Sequence, residues 1–387
     1  MTHSHIPFQQ PPRHLYIHWP FCSFKCHYCD FVAFEQHAEF QAAYHKVLLD
    51  EITAFAKKYP TKPIIDTIFI GGGTPSLYPL PWITELFDCL NQHYDLSATQ
   101  EITIETNPAD IDEEKLDTWA NIGINRISVG VQSLNDDLLL KLNRRQRASD
   151  VHRVMRIAPK YIPNISIDLI LGLPEISTAA WLDTIKQATT WPLKHISIYF
   201  LTIHEKTPLY FKVQRGQVSL PTDDSLADLY EQTIKLLADA GIEQYEISNF
   251  ARPGYTSIHN QAYWNRKSYR GFGVGASSFD GSGRYITTNN LEAYLKTSEN
   301  RGSVASYTTE ILTSKQALLE DLMLSLRQKT GLDLQRMVYL MDKAEYKQLI
   351  SNLPALQDAG FITYSTDRVW LTPKGMTLEN EIVLRLL

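Results

Sequence analysis

Short apolar runs alternate with amphipathic stretches along the first 240 residues of the chain. Six runs read as buried strands, and they cover residues 15–19, 67–71, 101–106, 126–131, 166–171 and 196–201. The stretches that repeat apolar residues every three or four positions, as helices with one buried face do, are 40–59, 79–93, 113–122, 179–190 and 226–240. Near-continuous apolar strands, each followed by a helix, predict a parallel sheet covered on both faces.

Six such units are fewer than the eight of a closed barrel, so they predict an α/β fold built as an open, partial (β/α)6 TIM-like barrel. In barrels of this type the active site lies on the loops that follow the carboxyl ends of the strands. Polar or glycine-rich segments fall there in this chain, at 71–75, 105–108 and 132–133. One carboxylate at a strand end is more often a helix cap, but the series at successive strand ends predicts a shared site.

Beyond residue 242 the alternation of strands and helices stops. We predict an N-terminal tail over 1–13, a core barrel over 14–241, a barrel extension over 242–310 and a C-terminal domain over 311–387. Helical segments from residue 314 followed by a short hairpin predict that the last of these is a small α+β, winged-helix-like domain. The glycine run at 271–276 lacks the lysine of a phosphate loop and predicts close backbone packing instead.

Composition and charge exclude several classes of function. The 387 residues carry a net charge of −6 and no basic tract, which argues against nucleic-acid binding. No apolar run reaches the roughly 18 residues of a membrane span. Residues 1–13 contain no apolar export segment. Together with only four cysteines, this predicts a protein of the reducing cytoplasm.

Three of the four cysteines, Cys22, Cys26 and Cys29, follow the first apolar run with C-x3-C-x2-C spacing. Three thiolates on one tight loop can bind three irons of a [4Fe–4S] cube and leave the fourth iron open to a small molecule. A disulfide framework is disfavoured because the chain has only four cysteines, three of them within eight positions, and no secretory signal. A zinc site completed by one histidine (His14, His18 or His27) remains an alternative. Cys89 lies in a stretch of helical periodicity and predicts a buried core thiol.

Four motifs together carry a resemblance to a known family. They are Tyr-Ile-His-x-Pro-Phe-Cys at 16–22, Gly-Gly-Gly-Thr-Pro at 71–75, Gly-Val-Gln-Ser at 130–133 and Asp-Leu-Ile-x-Gly-Leu-Pro at 168–174. Over nearly its whole length the chain resembles radical S-adenosylmethionine (SAM) proteins of the oxygen-independent coproporphyrinogen III oxidase superfamily. The resemblance implies a [4Fe–4S] cluster held by the three cysteines, with SAM bound at the open iron.

The same resemblance implies which residues surround SAM. Tyrosines would flank the cluster, glycines would let the backbone approach the methionine moiety, carboxylates would bind polar groups, and an arginine fork would suit the SAM carboxylate. The residues matched in this way are Tyr16, Tyr28, Gly72, Gly73, Thr74, Glu105, Gln132, Arg144 and Asp168. Gln146 stands where relatives commonly have histidine, which puts any role of that histidine in doubt.

Two departures separate the oxidase branch from the haem-chaperone branch of the superfamily. Phe31 stands where the oxidases carry a fourth cysteine. Only 21 residues precede Cys22, whereas the oxidases carry a longer N-terminal segment that helps cover the active site. His259, Tyr263 and Trp264 complete the H-N-x-x-Y-W motif of the chaperone branch, which implies that they contact haem. Imidazole is a common axial ligand of haem iron, and aromatic rings can stack on a porphyrin. The alternative is that His259 only hydrogen-bonds within the fold while Trp264 fills core.

The leading functional prediction is a haem chaperone that binds a SAM-liganded cluster and haem and delivers haem to an acceptor protein. The alternative is an oxygen-independent coproporphyrinogen III oxidase, which performs SAM-dependent radical oxidative decarboxylation, or a radical SAM enzyme acting on haem. Whether the protein is an enzyme therefore stays open, although the two departures argue against the oxidase. Expected partners are haem, the acceptor and an electron donor such as flavodoxin or ferredoxin, with no nucleic acid and no membrane span.

Overall fold

A computed structural model describes residues 8–298 and 307–387. The strands in those ranges are β1 (His14–Trp19), β2 (Phe21–Cys22), β3 (Phe34–Glu35), β4 (Thr67–Gly72), β5 (Glu101–Thr106), β6 (Arg126–Gln132), β7 (Asn164–Leu171), β8 (His195–Phe200), β9 (Glu243–Glu246), β10 (Asn249–Ala251), β11 (Tyr269–Phe272), β12 (Ser277–Phe279), β13 (Gly283–Thr287), β14 (Tyr307–Ile311), β15 (Leu332–Asp333), β16 (Ile362–Tyr364) and β17 (Arg368–Leu371).

The α-helices of the same ranges are α1 (Gln41–Ala56), α2 (Leu80–His93), α3 (Glu113–Asn121), α4 (Asp136–Lys141), α5 (Ala148–Ile157), α6 (Thr178–Thr189), α7 (Pro208–Gln214), α8 (Asp223–Asp239), α9 (Ile258–Trp264), α10 (Leu291–Leu295), α11 (Ser314–Arg327), α12 (Leu334–Leu340), α13 (Lys343–Asp358), α14 (Pro373–Met376) and α15 (Glu379–Leu386). None of these helices is both long and apolar enough to cross a membrane.

The main sheet has twelve strands in the order β14-β13-β12-β11-β1-β4-β5-β6-β7-β8-β10-β9. The six predicted strands are β1 and β4 to β8, and each pairs in parallel with its neighbour. The predicted open, partial barrel is therefore confirmed. The sequence pattern missed β11, which adds a seventh parallel strand beside β1, and it missed the antiparallel strands at both edges.

The barrel strands are not continuously apolar, contrary to the pattern first inferred. They largely alternate, as in β5, where Ile102 and Ile104 face one side while Glu101, Thr103 and Glu105 face the other. Phe69 in β4 and Ile170 in β7 are apolar exceptions on the polar face. The apolar side packs against the surrounding helices; Trp19, for example, contacts Tyr44 of α1 edge-on, with ring centroids 5.9 Å apart. The polar side faces the inside of the barrel, where side chains of neighbouring strands hydrogen-bond to one another, as Ser128 and Asp168 do.

Residues 314–387 form the predicted winged-helix-like module. The order α11, β15, α12, α13 and the β16–β17 hairpin closes into a three-stranded sheet with strand order β15-β17-β16. Two further helices, α14 and α15, follow the hairpin. The division of the chain into four segments stays a prediction, because residues 1–7 of the predicted tail and 299–306 of the predicted extension lie outside the described residues.

Candidate functional site

A cavity of about 680 Å³ opens at the carboxyl ends of the barrel strands. It falls within the size range of small-molecule binding sites. The cysteine loop (residues 22–32), the glycine segment (residues 71–75) and the inward face of β5 to β8 meet there. The predicted site residues that line it are Cys22, Cys26, Tyr28, Cys29, Gly72, Gly73, Thr74, Glu105, Gln132, Arg144 and Asp168.

The three cysteines of the loop are free and partly exposed. Two hydrogen-bond donors reach their sulfur atoms: Thr74 Oγ1 lies 3.3 Å from Cys22 Sγ, and Arg144 Nη1 lies 3.6 Å from Cys26 Sγ. Burial raises the pKa of Cys22 to about 11 and also raises the pKa of Cys29. These two sulfurs therefore favour the thiol form unless a cation binds them. Hydrogen-bond donors that point at sulfur stabilise the negative charge of a thiolate. The contacts of Thr74 and Arg144 are therefore consistent with cysteines that bind a metal centre.

The histidines of the zinc alternative do not join the cysteines. His27 Nδ1 bonds to the carbonyl of Lys141 at 2.9 Å, and His14 Nδ1 bonds to Thr67 Oγ1 at 2.9 Å. Within residues 8–298 and 307–387, no three His, Cys, Asp or Glu side chains converge as a single-ion site. This geometry therefore does not support a Cys3His zinc site. It is compatible with a [4Fe–4S] cube, because each cysteine then binds a different iron and the three sulfurs need not converge on one ion.

His18 holds the end of the cysteine loop through a hydrogen bond, a role that the sequence analysis did not predict. Its Nε2 lies 2.8 Å from the carbonyl of Val32, at the end of the loop, so this nitrogen must carry the proton. Its Nδ1 then accepts from the hydroxyl of Tyr16 at 2.9 Å. Tyr16 itself is not among the residues that line the cavity. Its contact with the cluster and SAM stays a prediction, and its observed partner is His18.

The glycine segment approaches its neighbours more closely than a side chain would permit. Gly72 has φ of 116°, and a Cβ there would lie 2.7 Å from the His18 ring. A Cβ on Gly73 would lie 2.8 Å from the carbonyl of Pro20. Glycine is therefore required at both positions for backbone reasons, and the backbone they expose forms one wall of the cavity.

Two carboxyl groups reach the cavity from neighbouring barrel strands. Glu105 accepts a hydrogen bond from the backbone nitrogen of Gly72 at 3.2 Å. Burial, reinforced by the nearby Asp168, raises the pKa of Glu105 to about 8. Burial also raises the pKa of Asp168, which accepts from Ser128 Oγ. A pair of buried, partly satisfied carboxyl groups suits a ligand that brings hydroxyl or ammonium donors.

Arg144 is held by protein groups on every nitrogen. It donates to Gln146 Oε1 at 2.7 Å, to the carbonyl of Gly130 at 2.8 Å, and to the hydroxyl of Tyr28 at 3.1 Å, besides its contact with Cys26. The arginine thus ties the cysteine loop to the end of β6. Gln146, the residue that departs from the family pattern, orients Arg144 and donates to the carbonyls of Gly130 and Val131.

Gln132 ends β6 in a strained backbone conformation. Its φ is 63°, which is uncommon for a residue other than glycine, and the pairing register with β7 shifts between Gly130 and Gln132. Such strain is concentrated at functional sites. Here it accompanies the turn of the strand at the edge of the cavity, so the structure brings this predicted residue to the site.

Comparisons with known proteins agree with this site. Residues 16–188 match the Radical SAM superfamily model. A heme chaperone HemW of Bacillus subtilis is 35% identical over 370 residues, which cover 95% of this chain and 97% of that protein. HemW of Escherichia coli is 38% identical over 271 residues, covering 69% of this chain and 70% of that protein. The chain belongs to the HemW family of radical SAM proteins.

The fold has a counterpart among solved structures. The coproporphyrinogen III oxidase HemN of Escherichia coli, described as a radical SAM enzyme, superimposes with a TM-score of 0.82 and 24% identity. The match covers 97% of this chain and 90% of that protein. At this identity the likeness shows a shared fold, and it does not choose between the activities of HemN and of HemW proteins.

The H-N-x-x-Y-W motif of this HemW-family chain lies at the other end of the barrel. It forms α9, whose amino end is bound by the buried Glu101 carboxylate through Ser257 Oγ and the backbone nitrogens of Ile258 and His259. His259 is fully buried, and its ring nitrogens bond to Thr67 Oγ1 and Tyr263 OH, both at 2.7 Å. Burial lowers the pKa of His259 to about 3.

The aromatic residues of the motif also have partners within the fold. Tyr263 packs edge-on against Tyr269, with ring centroids 4.5 Å apart. Trp264 lies under the guanidinium of Arg327, 4.5 Å from its ring centroid. The predicted haem contacts of His259, Tyr263 and Trp264 stay predictions. The geometry of this conformation favours the alternative, in which the motif hydrogen-bonds within the fold and fills core.

Proposed function

We propose that this protein is a haem chaperone that binds a [4Fe–4S] cluster and SAM in the cavity and delivers haem to an acceptor protein in a reducing cytoplasm. The observation that carries the proposal is the meeting of three cysteines, a glycine wall and two carboxyl groups in one cavity. The near full-length similarity to a protein named heme chaperone HemW supports the haem part. Release of haem to an acceptor is the final element of the proposal.

The residues present fit the cluster. Cys22, Cys26 and Cys29 would hold it, since all three line the cavity and two of them accept hydrogen bonds at sulfur. When bound, a cluster with three protein ligands supplies an open iron for the methionine end of SAM. The neighbouring side chains hold the loop in place: His18 binds its far end, and Arg144 fixes its centre.

The rest of the cavity fits SAM by the chemistry of its walls. The backbone of Gly72, Gly73 and Thr74 lies close to the cysteines and presents carbonyl acceptors, because its nitrogens already donate to Glu105 and to the carbonyls of Trp19 and Phe21. Glu105 and Asp168 offer carboxyl oxygens to an ammonium group or to ribose hydroxyls. Arg144 would have to exchange one of its present partners to bind the SAM carboxylate, so we assign it first to the cysteine loop and second to the ligand.

The oxidase is the second candidate, favoured by the fold it shares with HemN. Phe31 argues against it, since this side chain is 63% exposed at the cavity where the oxidases carry a cysteine. An oxidase would also need a reduced electron donor such as flavodoxin or ferredoxin. A chaperone that does not cleave SAM needs such a donor only if the cluster must be reduced for haem transfer.

The deciding experiment compares haem binding and porphyrinogen conversion in anaerobically reconstituted protein. We expect stoichiometric haem retention, transfer to an apo-acceptor such as an apo-cytochrome, and no loss of carboxyl groups from coproporphyrinogen III in the presence of SAM and reductant. Consumption of SAM with decarboxylation, and no retained haem, would replace the chaperone proposal with the oxidase.

A further inference from the structure

A histidine outside the predicted set lines the cavity at its outer side. His204 follows β8, and its Nδ1 lies 3.0 Å from Asp30 Oδ2 in the cysteine loop. Its side chain is 40% exposed, and no group of the described residues bonds to its Nε2. Histidines that bind metals usually donate their other ring N–H to a carboxylate, which fixes the tautomer and orients the ring. The His204–Asp30 pair has this arrangement, with Nε2 free.

The surroundings of His204 are apolar and aromatic. Phe31 and Tyr199 are 63% and 43% exposed, and Phe200 and Leu201 line the same part of the cavity. Monomeric proteins rarely leave several large apolar side chains exposed together unless a partner or ligand covers them. A flat, largely apolar ligand could lie against these residues with its centre near the imidazole.

The same rim carries two cationic side chains. Lys25 and Arg145 line the cavity and form no ion pair within the described residues. The Lys25 ammonium donates to the carbonyl of Phe31 at 3.2 Å, and the Arg145 guanidinium lies 4.7 Å from the centroid of the Phe24 ring. Cations beside an apolar rim suit a ligand that combines a flat ring system with carboxylate groups.

From these contacts we infer that His204 Nε2 is an axial ligand of haem iron at the mouth of the cavity, with Asp30 orienting the imidazole and with Lys25 and Arg145 facing the propionates. The inference rests on the proposed function, because it supplies the binding site of the proposed cargo. It places haem beside the cysteine loop and not at α9, where both nitrogens of His259 are already bonded. His204 is a binding residue in this inference, with no role in bond breaking.

The test is a spectroscopic haem titration of the cluster-containing protein under anaerobic conditions. We expect wild-type protein to give the spectrum of histidine-ligated haem and His204→Ala to bind at least tenfold more weakly with a changed Soret band. Asp30→Asn should weaken binding by a smaller factor, since the imidazole stays but loses its orienting carboxylate. His152→Ala, at an exposed histidine on α5, is the matched control and should behave as wild type.

The outcomes separate this inference from the proposed function. Wild-type protein that binds no haem would remove the proposed function itself. Wild-type binding that His204→Ala leaves unchanged would overturn the inference and leave the chaperone proposal standing. Iron and sulfide content is measured for each variant. If His204→Ala loses its cluster, His204→Met decides: a methionine-type ligand signal supports the inference, and an unchanged histidine-type spectrum overturns it.

Discussion

The two ends of the barrel interior use the same kinds of side chain for opposite purposes. At the carboxyl end, Glu105 and Asp168 face a cavity, and their environment raises the pKa of both groups. At the amino end, Glu101 and His259 are buried with a hydrogen-bond partner at each donor or acceptor site described above. The difference lies in α9, which fills the amino end and has no counterpart at the carboxyl end.

The comparison shows that neither the residue type nor a family motif alone is enough to locate a binding site. A buried histidine whose nitrogens are both bonded stabilises the fold, because freeing it would leave its partners unsatisfied. A half-exposed histidine with one bonded nitrogen keeps a lone pair for a ligand.

The largest expected effect is at the cysteine loop. Replacement of Cys22, Cys26 and Cys29 by serine should abolish incorporation of iron and sulfide, because these are the only cysteines among the described residues that line the cavity. Cys89→Ser is the matched control: this thiol packs against the core in α2 and should leave cluster content intact. Stoichiometric zinc in anaerobically purified wild-type protein, with no cluster after reconstitution, would contradict the assignment.

The next effect is on stability at the amino end. Glu101→Ala removes the acceptor of three donors on Ser257, Ile258 and His259, and loss of buried, charge-assisted hydrogen bonds should cost about 3 to 5 kcal/mol of unfolding free energy. The free energy of unfolding of both proteins is measured by chemical denaturation. Glu113→Ala removes an exposed carboxylate that pairs loosely with Lys160 and should change stability by less than about 1 kcal/mol. Similar losses in both variants would show that Glu101 does not hold α9.

A more moderate effect separates the two interpretations of the α9 motif. His259→Ala leaves a cavity, removes the ring partner of the Tyr263 hydroxyl and leaves Thr67 Oγ1 with His14 as its side-chain partner, so we expect about 2 to 3 kcal/mol of destabilisation. Cluster content and the haem affinity of the folded fraction should stay near the wild-type values. A large loss of haem affinity at unchanged melting temperature would instead support the predicted haem contact of His259.

The smallest effect is a pH dependence of SAM binding. Because the pKa of Glu105 is raised to about 8, its carboxyl is protonated at neutral pH in the unliganded protein. Binding of a cationic group at the ionised carboxylate then releases a proton, so affinity should rise with pH, by at most about tenfold per unit, and level off above pH 8. Calorimetry should show that Glu105→Gln removes this slope. An equal slope in the variant would assign the proton to another group.

The sequence predicted most of the carboxyl end and little of the amino end. The strands, their parallel order and most of the cavity-lining positions follow from periodicity and from motifs at the strand ends or in the loops that follow them. Neither signal exists for contacts such as Glu101 with α9, which join residues about 157 positions apart. The pairing of His204 with Asp30 was missed for the same reason: two loops meet only when β8 and β1 fold into one sheet.

Residue roles were harder to predict than residue positions. Arg144 reaches the cavity as expected, yet its nitrogens already bind Gln146, Gly130 and Tyr28, a network that no local pattern indicates. Gln146 could have been noticed as more than a departure, since glutamine can accept from an arginine and donate to carbonyls at the same time. Tyr16 was placed by its motif, but its hydroxyl points to His18.

Because α9 covers the amino end of the barrel, the barrel interior can complete its packing only after α9 has been synthesised. All six barrel strands have left the ribosome some sixty residues before the helix that fills their amino end. Until then, the buried polar side chains at the amino end (Glu101, Thr67 and Arg126) are not covered by α9, and β1 lacks its outer neighbour β11. We therefore expect that a fragment ending at residue 241 stays loosely packed, and that a nascent chain gains resistance to proteolysis only after residue 272 has emerged.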